Sequence, residues 1–437
     1  MFMSQSIVRR SLAVTAFYVL GHGFNYLLLV ASNRLLRPEI FGLFYISNSM
    51  INVLMTPGPV LAMSFGQHFA RLAASGGIDA VSAALGRTLV AMAGWGSFAT
   101  MAVLIALAVA GQQFGVDSFA VLVLIPVIAC VAVLFEIVRA CFQALHRFAW
   151  FSASWVLWCG LHFILSLAGL YLVGTIWAGL LGSLLATIAL MTVVLVILPV
   201  RSARPSPRAE TAALPIKLRS VLVPVIAYGC FNLLASADVL LAYVLLNRNQ
   251  LGVYIASSLL PKAIVTITLP VAQVLLPVLA APASSSQTLR TAVLKALSVV
   301  LMLAGCASAL LWMGAAMACN EQFGIRFCDI GLMSLLALAA IPLSITRVLV
   351  VNSLAIGSNW RPLLQVLGLA AIGILAGIYV QGDAYRLGTI YLAVCSGVMV
   401  LYVFADMVSE RSHGQHPTIS SLPGSNESMI EVGAPIK

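Results

Sequence analysis

Four ionisable side chains, Glu136, Asp238, Lys262 and Arg347, lie within long apolar runs. A charge held at bilayer depth is costly, so each such residue marks either a pathway or a neutralising partner. Asp238 lies about eight residues before the end of one run, and Lys262 about eleven residues into the next. At 1.5 Å per residue these positions are ~12 and ~16 Å deep, so the two would meet across adjacent antiparallel helices. One reading is a structural ion pair in which each charge neutralises the other. The other sets Lys262, beside Pro261, in a cavity wall facing an anion, with Asp238 tuning or releasing it.

Glu136 and Arg139 are three residues apart, the spacing of a local salt bridge on one helix face. Arg347 either snorkels toward the nearer membrane face or points into a cavity, with Asn352 a turn or so beyond. Arg34 and Arg37 flank a short turn, and Arg71 follows His68 at the opposite mouth; the ordinary reading of all three is as membrane-boundary anchors, and the alternative is contact with an anionic substrate. Asn25 and Asn52 are neutral polar residues within the first two runs, suited to interhelical hydrogen bonds or to a sugar hydroxyl. Glu136 and Asp238 are the candidate ion-coupling carboxylates. His162 reads as a packed core histidine.

The elements that must position these residues follow from composition. Of 437 residues, 62% are hydrophobic and only 8% charged, with a mean hydropathy of +1.06. Soluble domains carry about 25% charge, and single soluble cores stop growing near ~250–300 residues. The chain is therefore expected to be an all-α, polytopic membrane protein: long unbroken runs, rather than ~10-residue alternating segments, exclude a transmembrane β-barrel. A net charge of +10 raises nucleic acid as a partner, but the basic residues are scattered in short loops instead of forming a stripe. The segment Met1 to Arg10, with no small-residue cleavage site after it, is expected to lead into an uncleaved first span.

Twelve spans are expected, at about 11–33, 41–65, 84–110, 119–142, 150–172, 176–200, 220–246, 251–280, 291–318, 330–357, 362–381 and 386–407. With the N-terminus inside, sixteen Lys and Arg, Arg71, Arg139 and Arg361 among them, fall on the inner side and five on the outer side, while Lys262 and Arg347 fall within spans. That bias predicts both termini in the cytoplasm. The proline-rich stretch 201–219 reads as a cytoplasmic linker between lobes 1–200 and 220–408, and 409–437 as a disordered cytoplasmic tail. Eight cysteines show no Cys-x-x-Cys spacing and no neighbouring His cluster, so neither a metal nor another cofactor is expected. Six are packing residues; Cys319 and Cys328 flank a polar loop and would form a disulfide in an oxidising compartment.

A shift of 210 positions aligns Pro38-Glu39-Ile40-Phe41-Gly42-Leu43-Phe44 with Arg248-Asn249-Gln250-Leu251-Gly252-Val253-Tyr254. Each glycine opens an even-numbered span, and each span is expected to be broken by prolines: Pro57 and Pro59, then Pro261, Pro270 and Pro277. Six intervening spans leave the copies parallel, so two six-helix lobes are predicted around a shared central cavity, which is a transporter plan.

The segment Asn33-Arg34-Leu35-Leu36-Arg37-Pro38-Glu39-Ile40-Phe41-Gly42-Leu43-Phe44 resembles the first outer turn of polysaccharide flippases, in the multidrug/oligosaccharidyl-lipid/polysaccharide exporter superfamily. Asp238, Gln250-Leu251-Gly252-Val253-Tyr254 and Leu275-Leu276-Pro277-Val278-Leu279 look like its second-lobe counterpart. The resemblance implies alternating-access export of a polyprenyl-(pyro)phosphate-linked oligosaccharide across a bacterial inner membrane. It further implies membrane lipids, a polysaccharide polymerase and assembly machinery as partners. Lys262, Arg347, Arg34, Arg37, Arg71, Asn25 and Asn52 are the expected substrate contacts, because cations outnumber acids in the suspected cavity and guanidinium and ammonium groups pair with phosphate.

Three rival functions remain. A multidrug cation exporter of the same superfamily would favour lobe carboxylates over Lys262 and Arg347. A lipid II flippase would be expected to have more spans. A membrane polymerase or glycosyltransferase would need catalytic acids or a large outer loop, and the outer loops are short and lack recognisable enzyme motifs.

Overall fold

The computed structural model describes residues 2–114, 119–145, 147–197, 218–269, 271–272, 275, 286–320, 325–355 and 360–413. They form α1 (Phe2–Leu35), α2 (Pro38–Leu54), α3 (Pro57–Phe114), α4 (Phe119–Ala144), α5 (Phe148–Val173) and α6 (Ile176–Ile197). The second half comprises α7 (Leu218–Leu245), α8 (Arg248–Ile267), α9 (Ser286–Met313), α10 (Ile330–Ala355), α11 (Leu363–Tyr379) and α12 (Ala384–His413), with a single helical turn at Ala315–Ala318. Ten candidate membrane spans among the described residues have the length and apolarity to cross a bilayer, and α1 and the 17-residue α11 complete a set of twelve. No strand occurs among the described residues.

Helix ends follow local chemistry. Pro38 and Pro57 open α2 and α3 at first-turn positions that need no N–H donor. The Asn247 side chain accepts from Gln250 N at 2.9 Å to cap α8, and Asp329 accepts from Leu332 N at 2.8 Å to cap α10. Gly174, at φ 70°, closes α5 in the left-handed region.

The repeat is visible in these boundaries. α1 ends at Leu35 and α7 at Leu245; α2 begins at Pro38 and α8 at Arg248, both 210 positions apart. Two differences from expectation appear. The expected second span is cut at Met55–Thr56, and its latter half continues without interruption into the third, because no proline occurs between Pro59 and Pro126. Pro261 does not break α8, which passes through it and stops at Thr268, two residues before Pro270, a residue with no N–H to continue the ladder. Pro270 and Pro277, the linker 201–217 and the tail from 414 lie outside the described residues; α12 carries the chain as helix to His413, beyond the expected onset of disorder at 409.

We call the end carrying the α1–α2 and α7–α8 turns the turn end, and the end where α6 stops and α7 starts the linker end. In the turn half, Phe41, Phe44 and Tyr45 of α2 pack with Leu251, Tyr254 and Ile255 of α8 in one apolar core common to both lobes. In the linker half the N-terminal lobe has its own core, built on Phe65, Phe69, Phe135, Phe142, Trp155 and Trp158, with no member from the other lobe. A separate small core holds Val293, Val300, Val348 and Val351 of the C-terminal lobe. The lobes thus share one core at the turn end, while toward the linker end each lobe has a core of its own among the described residues.

This turn-end seal between the lobes depends on close approach at the repeated glycines. A Cβ on Gly252 would lie 2.5 Å from Pro38 Cβ and 2.9 Å from its carbonyl oxygen, and one on Gly42 3.3 Å from Leu251. Glycine removes the atom that would hold α2 and α8 apart.

Candidate functional site

The deep charges of the N-terminal lobe are quenched internally. Arg139 of α4 donates to Glu136 Oε1 at 2.7 Å, Phe151 O at 3.2 Å, Ser154 Oγ at 3.3 Å and Tyr18 Oη at 3.4 Å. The rings of Tyr18, Phe135, Phe151 and Trp155 lie 4.6–5.9 Å from its guanidinium carbon. Arg139 is fully enclosed and Glu136 is buried. The sequence assigns Arg139 to the inner boundary; the structure draws it inward, because a carboxylate one turn away and an aromatic cage replace its water.

Asp238 and Lys262 meet as their depths predict, at 2.8 Å. Lys262 Nζ also donates to Ala235 O at 2.7 Å, and Tyr254 Oη donates to Asp238 Oδ2 at 3.4 Å. The carboxylate is fully buried, and Lys262 retains part of its side-chain exposure.

A third pair was not legible as such. Arg361, counted on the inner side by sequence, is buried at the start of α11 and donates to Asp406 of α12. Asn352 Nδ2 donates to the other Asp406 oxygen at 3.4 Å. The available signal was an aspartate in the last apolar run, at the same membrane face as Arg361.

Arg347 differs from all of these. Its Nη1 donates to Val265 O of α8 at 2.9 Å, and its guanidinium sits over the Phe231 ring of α7, 4.9 Å from the centroid. Among the described residues no carboxylate pairs with it. It is partly exposed, although α10 is the most enclosed span, with 67% of its apolar window buried against 6% for 78–105. His22 and Tyr26 of α1 and Tyr228 of α7 lie within electrostatic reach of it. Among the described residues this cation thus has aromatic and polar neighbours from both lobes and no carboxylate partner. That arrangement suits an anion, which would supply the missing countercharge and acceptors for the free guanidinium donors.

Just above it, toward the turn end, two hydrogen bonds cross between lobes. Asn232 Nδ2 of α7 donates to Thr56 Oγ1 at 2.9 Å, and Tyr26 Oη of α1 pairs with Thr266 Oγ1 of α8 at 3.0 Å. Farther out, Arg326 donates through its backbone N to Asn33 Oδ1 at 2.7 Å and through Nη1 to Arg34 O at 3.3 Å. Cys319 and Cys328 are disulfide-bonded with Cα atoms 5.1 Å apart, so the loop ending at Arg326 is tied back to its own lobe.

The remaining candidates scatter. Arg34 and Arg37 are exposed at the turn end, far from Arg347 along the helix axis. Asn25 turns to Cys159 of α5 within the N-terminal lobe. Asn52 is exposed, 210 positions before Lys262. The side chain of Arg71 lies outside the described residues. His162 is buried against Trp158, 5.6 Å between rings. Among the described residues no cluster of His, Cys, Asp or Glu could hold a metal ion.

Two sets of six helices, packed together at the turn end, make an all-helical membrane-protein fold. That fold is similar to the fold of solved MATE structures. A MATE structure in the straight conformation superposes with a TM-score of 0.68 at 15% identity, covering 93% of this chain and 96% of the other. A transporter of the MOP superfamily from Pyrococcus furiosus, described as having a binding pocket of reverse polarity that suggests a different function, gives 0.65 at 16% identity, with 93% and 96% coverage. An inward-facing MATE family multidrug resistance transporter gives 0.66 at 14% identity, with 92% and 96% coverage. No family model matches the sequence, and no curated protein matches it.

Proposed function

We propose that this chain is an alternating-access flippase for an anionic lipid-linked oligosaccharide, with a polyprenyl-(pyro)phosphate head, in a bacterial inner membrane. The observation that carries the proposal is Arg347: a partly buried cation with no carboxylate partner among the described residues, held by Val265 O of α8 and by Phe231 of α7. Every other deep charge described has its partner. Arg139 holds Glu136, Lys262 holds Asp238 and Arg361 holds Asp406, so the cavity offers a drug cation no unpaired acid. Sugar rings would find Tyr26, Tyr228 and Phe231 beside the cation, and the prenyl tail would stay in lipid between the lobes. The excess of positive residues around the linker end supports a cytoplasmic linker and termini. With that orientation the packed turn end is extracytoplasmic, and export requires its interlobe contacts to part. No step in this cycle forms or breaks a covalent bond, so the chain is not an enzyme.

The second reading is a multidrug cation exporter, favoured by the MATE multidrug transporters among the structural neighbours. One experiment separates the two. In proteoliposomes holding purified protein, a fluorescent polyprenyl-pyrophosphate disaccharide should cross the bilayer, and Arg347→Ala should reduce its rate at least tenfold. Transport of ethidium with no lipid translocation would instead establish the drug exporter.

A further inference from the structure

The two interlobe hydrogen bonds above Arg347 form a related pair. Thr56 and Thr266 are 210 positions apart, the repeat distance, and each stands where its helix is interrupted, α2 at Leu54 and α8 at Ile267. Each hydroxyl gives its one proton to the carbonyl four residues back, Asn52 O at 3.3 Å and Lys262 O at 3.1 Å. Each can therefore only accept from across the lobe boundary. Asn232 donates to Thr56 from α7, and Tyr26 donates to Thr266 from α1, its counterpart in the other lobe. The bonds cross, one from each lobe to the other. They sit at the lower edge of the common core, beyond which the lobes have separate cores.

The two latches differ in one respect. Tyr26 bonds Thr266 while Arg347 bonds the adjacent residue, Val265. An anion seated on the free donors of Arg347 therefore arrives beside the Tyr26 hydroxyl and competes with Thr266 for its proton. A charged acceptor forms a stronger hydrogen bond than a neutral hydroxyl. We propose that Tyr26 passes occupancy of the Arg347 site to the seal: a bound phosphate takes the Tyr26 donor, the Tyr26–Thr266 latch opens, and the turn end is freed to part. Asn232–Thr56 is the passive latch, since no comparable cation stands next to it among the described residues. The trigger rests on the anion-binding reading of Arg347; the latches themselves do not.

The test uses full-length protein in nanodiscs, with spin labels on Tyr171→Cys and Arg386→Cys, which are exposed at the turn end of opposite lobes, in a background whose free cysteines are replaced. Without ligand, Tyr26→Phe and Thr56→Val should each raise the long-distance population about two- to tenfold, the scale of one hydrogen bond. Farnesyl pyrophosphate should raise it further in the parent and in Thr56→Val, but not in Tyr26→Phe or Arg347→Ala. A ligand-free Tyr26→Phe protein as closed as the parent would overturn the latch. A full pyrophosphate response in Tyr26→Phe would overturn its role as trigger. No pyrophosphate response in the parent, with the ligand-free shifts intact, would remove the trigger together with the anion site.

Discussion

Arg139 on α4 and Arg347 on α10 occupy nearly equivalent places in the two lobes, because position 347 is 210 beyond position 137. Both lie in the linker-end half of corresponding spans, the fourth and the tenth. Their surroundings separate them. Arg139 has a carboxylate, three further acceptors and four rings, and is wholly enclosed. Arg347 has one carbonyl, one ring and partial exposure. The same residue type thus braces one lobe internally and, among the described residues, stands without a carboxylate partner in the other. A deep cation reports on function through what it lacks, and a complete set of partners is the mark of a structural role.

This contrast can be broken most severely at the enclosed partner. Arg139→Ala leaves Glu136 buried without its cation, and removing one member of a buried pair costs ~3–5 kcal/mol. Yield and thermal stability in detergent should collapse. Arg347→Ala removes no carboxylate partner, so the same melting assay should place it near the parent while lipid translocation is lost; equal destabilisation of both would erase the distinction.

Lys262 stands between the two cases. Lys262→Ala strands the fully buried Asp238, so its expected effect is again a loss of ~3–5 kcal/mol. Adding Asp238→Asn should restore most of the stability, measured as the recovered melting temperature of the double variant. Recovered stability with normal transport would make the pair purely structural. Recovered stability without transport would return Lys262 to the substrate path.

Gly252→Ala tests the seal rather than the charges. Its new methyl would meet Pro38 at 2.5 Å, so α2 and α8 must separate. Solvent labelling of Arg37→Cys and Arg248→Cys should show an opened turn end in a protein that still folds. The smallest effect is expected at the outer strap. Asn33→Ala removes the acceptor for Arg326 N, a loss of about 0.5–1.5 kcal/mol, and should raise turn-end labelling only a few-fold.

The all-helical plan of many membrane-length spans was legible because lipid leaves no choice: each apolar run of sufficient length must satisfy its own backbone as a helix. The 210-residue repeat was equally plain, since Gly42 and Gly252 serve the same close contact. The Asp238–Lys262 meeting could be computed, because two charges near one hairpin are placed by helical rise alone. Arg361–Asp406 escaped notice because its partners are 45 positions apart, at the open ends of the α11–α12 hairpin, far from the turn that joins them. The break in α8 was misplaced at Pro261 because a proline can be carried within a membrane helix when neighbours satisfy the freed carbonyl.

Sequence by itself determined an all-helical chain with about ten to twelve membrane-length helices and four deep charges to account for. Which of those charges remains unpartnered was decided only in three dimensions. Pairing depends on side chains brought within about 3 Å from distant spans, and span-to-span packing is set by small residues and ring contacts that no periodicity reveals. The same holds for the end at which the lobes close: both halves carry the same motif, and only the packed interface between them shows where the molecule is shut.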